Sequence, residues 1–135
     1  MRIVFDTNVL IAAFIARGVC AELFEHCAIH HILVGSQFIL DELHENLRKK
    51  FRYRPTDIQQ IIDLLMSRWF VVKTPRLFSK VSRDPDDDFI LATAAEGHCQ
   101  CLITGDKDLL IIKNYQGIDI LQPAQFWSYE KNYLR

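Results

Sequence analysis

Hydrophobic residues in this chain fall into two recurring patterns: short unbroken apolar runs, and longer stretches with helical spacing. Arg2-Ile3-Val4-Phe5 is the first run, and others follow at 31–34, 70–73, 101–104 and 117–121. Runs of four or five residues bounded by polar punctuation predict strands buried on both faces. Between them, positions 8–16 are apolar all round, which predicts a buried helix. Gly18 punctuates, and a second helix is expected over 19–28. Ser36 is the expected N-cap of a helix running to about Lys50, with Ile39, Leu40, Leu43 and Leu47 as its apolar stripe. After the break at Arg54-Pro55, Thr56 with Gln59 predicts a capping box for a helix ending at Arg68. Positions 74–83 have the character of a loop. Asp84-Pro85 opens a helix over 86–96, with Pro85 at the favoured first position and Gly97 closing it. A short helix over 106–112 and a terminal helix from Pro123 complete the pattern.

Strands alternating with helices predict a parallel sheet covered on both faces. The expected architecture is a single three-layer α/β/α domain over residues 1–135 with a parallel five-stranded sheet. The 135 residues match the commonest domain size. Half of them are hydrophobic, enough for a sizeable core. No internal repeat, linker or low-complexity segment interrupts the pattern.

Four acids stand out against this pattern. Asp6 follows the first predicted strand and Asp106 the fourth, while Glu42 and Asp88 lie on predicted helices. Strands of an α/β sheet deliver their ends to a common edge, where ligands bind outside the carboxyl ends. Gathered carboxylates repel one another, and a divalent cation is the usual reason such a group persists. Each acid also has a plainer explanation. Asp6 and Asp106 can cap the helices that follow them, worth about 1 kcal/mol each. The run Asp84, Asp86, Asp87 and Asp88 complements a helix macrodipole. That does not account for an acid pointing inward, and Asp88 has Leu91, Ala92 and Ala95 as its helical neighbours, an apolar face on which an unpaired charge is costly. Asp84 shares that face and is a fifth candidate, and Asp108 lies within reach of the same pocket. Glu42 sits beside the apolar stripe of its helix.

Charge and cysteine usage narrow the classes. The net charge of −1 argues against a general nucleic-acid coat protein, which needs a strong basic excess. A local patch remains: Arg48, Lys49, Lys50, Arg52 and Arg54 interleave with Phe51 and Tyr53, a composition suited to phosphates and bases, or to a solvated helix end. Cys20, Cys27, Cys99 and Cys101 lack zinc-finger spacing and are expected to be reduced core residues. Asp6 within the first apolar stretch argues against a signal peptide, and no apolar run approaches the ~18 residues of a membrane span. A cytoplasmic protein without membrane contact is the expectation. None of the five histidines has metal-ligand spacing in the sequence, and no nucleophile triad, Walker loop or glycine-rich dinucleotide turn is present. The aromatic tail Phe126-Trp127-Ser128-Tyr129 has two readings, core or homodimer interface.

Four segments together resemble the PIN-domain family of metal-dependent ribonucleases: Phe5-Asp6-Thr7-Asn8-Val9-Leu10, Leu40-Asp41-Glu42-Leu43, Asp88-Phe89-Ile90-Leu91-Ala92-Thr93-Ala94, and Leu102-Ile103-Thr104-Gly105-Asp106-Lys107-Asp108. The stretch 82–88 resembles the toxins of bacterial and archaeal toxin–antitoxin pairs. The resemblance implies that Asp6, Glu42, Asp88 and Asp106 are catalytic, metal-binding acids, with Asn8 and Thr104 supporting them. It also implies Mg²⁺ or Mn²⁺, single-stranded or structured RNA as substrate, products with 5′-phosphate and 3′-hydroxyl ends, and an antitoxin that occludes the site. On that basis Asp6, Asp88 and Asp106 would hold a cation that polarises the scissile phosphate and acidifies an attacking water. Glu42 would orient that water or hold a second ion.

Two phosphate-handling alternatives fit less well. A haloacid-dehalogenase-type phosphatase needs an acid at the position of Asn8. A phospho-receiver domain needs one after the third strand, where Thr74-Pro75 stands. A non-catalytic PIN-like module, its acids serving as caps, is the alternative of a different class.

Overall fold

In the computed structural model, residues 1–73 and 85–133 are described. The expected loop over 74–83 and the candidate Asp84 lie outside them. The elements run β1 (Arg2–Phe5), α1 (Thr7–Ile15), α2 (Val19–His30), β2 (Ile32–Ser36), α3 (Gln37–Lys49), α4 (Pro55–Arg68), β3 (Trp69–Val72), α5 (Pro85–Glu96), β4 (Cys101–Ile103), α6 (Lys107–Ile112), β5 (Asn114–Tyr115), β6 (Ile118–Leu121) and α7 (Phe126–Tyr133), the last preceded by a 3-10 turn at Pro123–Gln125.

The sheet has the order β3-β2-β1-β4-β6-β5. All pairings are parallel except that of β5 with β6. The five expected parallel strands are therefore present, with one short antiparallel addition. That addition arises from a two-residue turn in which Gln116 and Gly117 both have positive φ, 52° and 85°. This backbone matches the twist of a hairpin. Consecutive residues of the central strands are all buried: Ile3, Val4 and Phe5 in β1, Cys101, Leu102 and Ile103 in β4. Burial without alternation is the mark of a sheet flanked by helices on both faces.

Two local details position the helices around the sheet. Gly35 in β2 has room for no side chain, because a Cβ there would lie 2.1 Å from the Trp69 ring on β3. Ser36, the last residue of β2, caps α3 and also meets Thr93 of α5 at 3.0 Å, Oγ to Oγ1. The expected Thr56–Gln59 capping box does not form. The helix begins two residues earlier, with Pro55 in its first turn and Arg54 as N-cap without a side-chain bond. Proline's fixed φ is pre-organised for that position, so the helix starts there.

The aromatic tail divides, with Trp127 exposed. Phe126 is fully buried and Tyr129 packs against the core cluster, with its hydroxyl donating to Asp119 at 2.8 Å. The four cysteines are unbonded thiols. Three are buried, and burial pushes Cys27 and Cys99 up to about 12, which keeps them protonated and unreactive. No single helix among the described residues is long and apolar enough to cross a membrane.

Candidate active site

The chain lays down β1, β2 and β3 outward in one direction, then returns to place β4 on the other side of β1. The β1–β4 boundary is thus the point where strand order reverses, and a crevice opens there at the carboxyl ends. Asp6 follows β1 directly, and Asp106 follows β4 after Thr104 and Gly105. Register brings them together: Phe5 pairs with Ile103, and the Asp6 amide donates to the Ile103 carbonyl at 2.9 Å.

Both strand-end aspartates do act as caps. Asp6 Oδ1 accepts from the Thr7 amide at 2.7 Å, and Asp106 Oδ1 from the Asp108 amide at 2.8 Å. The capping and pocket explanations are compatible, because each cap uses one carboxylate oxygen. Thr104 ties the two together. Its fully buried hydroxyl donates to Asp6 Oδ2 at 2.8 Å and accepts from the Asp106 amide at 3.0 Å. Thr104 thus links the two aspartates through one hydroxyl. Asn8 lies on the rim, exposed.

The resulting cleft has a volume of about 240 Å³. From β1 and α1 it is lined by Asp6, Thr7 and Asn8, and from beyond β4 by Asp106. Glu42, Asn46 and Lys50 line it from α3, four residues apart and hence on one helix face. From α5 come Asp86, Asp87 and Ile90. Phe38 and Phe89 stack at 4.7 Å where α3 meets α5.

The acid from α5 differs from the expected one. Asp87 lines the cleft, and Asp88, though also buried, does not. The reason is helical phase. Asp87 shares a buried stripe of α5 with Ile90, Leu91 and Ala94, at i, i+3, i+4 and i+7. The stripe assumed for Asp88 includes Ala92 and Ala95, which are only partly buried. A shift of one residue rotates a helix by about 100°, enough to exchange one aspartate for its neighbour. The bulky Ile90, three residues after Asp87, was the available signal for the true phase.

Asp87, Asp106 and Asp108 each offer a carboxylate oxygen within 4.8 Å of the other two. This donor set is all oxygen, and among the described residues no histidine or cysteine lines the cleft. It fits a hard divalent cation. Glu42 completes the acidic wall. Its Oε1 accepts from the Thr7 hydroxyl at 2.8 Å. Burial pushes the Glu42 carboxyl up to about 7; the Thr7 hydrogen bond opposes this, and Asp86 and Asp6 add to it.

The basic segment divides. Lys50 faces the cleft. Arg48 and Lys49 instead pair with Glu45 on the exposed side of α3, at 3.2 and 2.5 Å. Arg52 is exposed with positive φ. Thr7 and Asn46 went unrecognised in the sequence. The spacing of Asn46 between Glu42 and Lys50 could have shown it, whereas Thr7 is revealed only by its hydrogen bond.

Fold and site together define an α/β protein with an acidic pocket at the switch point of its sheet. Residues 2–108 match the family model of the PIN domain, and the chain belongs to that family. No curated protein sequence matches it. Among solved structures it is similar to VapBC2 from Rickettsia felis bound to a DNA fragment from their promoter, with a TM-score of 0.66 at 14% identity over 90% of this chain and 98% of that chain. It is also similar to VapBC-1 from nontypeable Haemophilus influenzae, with a TM-score of 0.64 at 19% identity over 92% of this chain and 99% of that one. At these identities the likeness is one of fold.

Proposed function

We propose that this PIN-domain protein is a metal-dependent endoribonuclease and the toxin of a toxin–antitoxin pair. The observation that carries the reading is the convergence of Asp6, Glu42, Asp87 and Asp106 on one cleft at the sheet's switch point. Capping accounts for Asp6 and Asp106 but not for Glu42 and Asp87, which bring further like charge to the same cleft.

Asp87, Asp106 and Asp108 would hold Mg²⁺ or Mn²⁺, with Asp6 beside them. The bound ion would supply charge neutralisation at the scissile phosphate and a more acidic water. The chain's own residues do the remaining work. Thr104 fixes Asp6 and the start of α6, so the carboxylates keep their spacing without a side chain reorganising during reaction. Glu42, oriented by Thr7, takes a proton from the attacking water, a role matched to a carboxyl that titrates near neutrality. Lys50, with Asn46 beside it, contacts the phosphate backbone from α3. The family relationship supports RNA as substrate. The two structural neighbours are both VapBC assemblies, which supports a protein partner.

Incubation with end-labelled RNAs, in Mg²⁺, Mn²⁺ or EDTA and beside Asp6→Asn, is the test. Cleavage that requires metal and disappears in the folded variant is the expected result. Cleavage that persists in EDTA, or in Asp6→Asn, contradicts it.

A further inference from the structure

A second group of potential ligands lies at the opposite edge of the sheet. His26 is in α2, His31 lies between α2 and β2, and Glu130 is on α7. Both histidines direct Nε2 at the same atom, Glu130 Oε2, with His26 at 2.7 Å and His31 closer still. One ligand atom from each residue lies within 4.8 Å of the other two. The acids of the cleft follow β1 and β4, whereas His31 precedes β2. The four residues of β1 alone separate the two edges by about 13 Å, so this group shares no residue with the cleft.

We propose that His26, His31 and Glu130 form a transition-metal site, taking Zn²⁺, that staples α7 to α2. Two imidazoles and one carboxylate are a donor set of borderline softness, suited to Zn²⁺ and poorly suited to Mg²⁺. The geometry is close to that required. Ligand atoms around a tetrahedral zinc lie about 3.4 Å apart, given bonds of ~2.1 Å. A modest opening of the present hydrogen-bonded arrangement reaches that spacing.

The rings are also held in place before any ion binds. His31 Nδ1 lies 3.1 Å from the Met1 nitrogen, which turns Nε2 toward Glu130; accepting from that amine keeps the ring proton on Nε2, so an ion binding there displaces this proton. The fully buried Phe126 ring packs edge-on against both imidazoles, and Trp127 packs on His26 at 4.8 Å between centroids. Water keeps access, since the side chains of His26 and Glu130 are 26% and 16% exposed. With three protein ligands, water completes the coordination.

Titration of the full chain with Zn²⁺ and with Co²⁺, in excess Mg²⁺ to saturate the acidic cleft, tests the site. The expected result is one Zn²⁺ per chain, a raised melting temperature, and the intense visible absorption of four-coordinate Co²⁺. His26→Gln and Glu130→Gln, which can keep hydrogen bonds and so preserve the fold, each weaken Zn²⁺ by about 10-fold or more. Asp87→Asn leaves Zn²⁺ affinity unchanged. A wild-type protein with no Zn²⁺ binding above the Mg²⁺ background overturns the proposal. So does Zn²⁺ binding that survives His26→Gln and Glu130→Gln but is lost in Asp87→Asn.

Discussion

The two edges of the sheet treat a half-buried glutamate in opposite ways. At the carboxyl edge, burial raises Glu42 to about 7, and the neighbouring Asp86 and Asp6 add to the rise. At the amino edge, burial also pushes Glu130 up, but hydrogen bonds from His31 and His26 more than reverse it, and the carboxyl is held below its usual range. One edge gathers like charges that call for a cation from solution. The other supplies hydrogen-bond partners of its own. Stability alone favours the second arrangement, and the proposed function rests on the first.

The largest expected effect follows from the acids. Asp106→Asn keeps the α6 cap, because asparagine caps as well as aspartate. It should nevertheless lower RNA cleavage by about 100-fold or more, the scale on which single charge-positioning groups act. Glu130→Gln, at the other edge, should leave cleavage in Mg²⁺ within about twofold. Equal losses in the two variants, measured on one labelled RNA, would erase the contrast between the edges.

Next in size is metal-linked stability. Mg²⁺ at about ten times its dissociation constant should stabilise the native chain by about 1.4 kcal/mol. In Asp106→Asn the shift should be absent. Thermal melts with and without Mg²⁺ measure both, and a shift retained in the variant would place the cation elsewhere.

A pH effect comes third. In the metal-free protein the Glu42 carboxyl has a folded pKa above its unfolded value of 4.5. Between these values the native state holds a proton that the unfolded chain has released. Stability therefore falls as pH rises from about 4.5 to about 7, and is level on either side. Glu42→Gln should flatten this slope and raise the metal-free melting temperature near neutrality by about 3 °C, or ~1 kcal/mol after allowance for its partial exposure. A slope unchanged in Glu42→Gln would assign it to another group.

The smallest effect concerns the basic segment. Lys50→Ala should weaken RNA binding a few-fold and reduce the salt slope by about one. Arg48→Ala should change little, because Arg48 pairs with Glu45 away from the cleft. Filter binding across a salt series separates them, and a larger loss for Arg48 would move the RNA path to the outer face of α3.

Much of the fold was legible because its signals are local. The runs at Ile3–Phe5 and Cys101–Ile103 are apolar without alternation, which only a covered parallel sheet explains. Asp6 and Asp106 were legible for the same reason, each following such a run. The sixth strand escaped because Gln116-Gly117 is a weak hairpin signal beside Asn-Gly. On α5, Asp88 was preferred over Asp87 because small alanines resemble a buried face as closely as Ile90 does. The histidine group was invisible, since residues 26, 31 and 130 meet only once α7 has folded back beside α2. Spacing along a chain reports helix faces and strand ends; it does not report which distant side chains a tertiary packing brings together.

The paired substitutions Asp87→Asn and Asp88→Asn test the central claim most directly, because the two residues are adjacent, both buried, and separated only by helical phase. Cleavage of a labelled RNA in Mn²⁺ should fall by about 100-fold or more in Asp87→Asn and stay within a few-fold of wild type in Asp88→Asn. The reverse order would contradict the account, placing the catalytic carboxylate on the other face of α5.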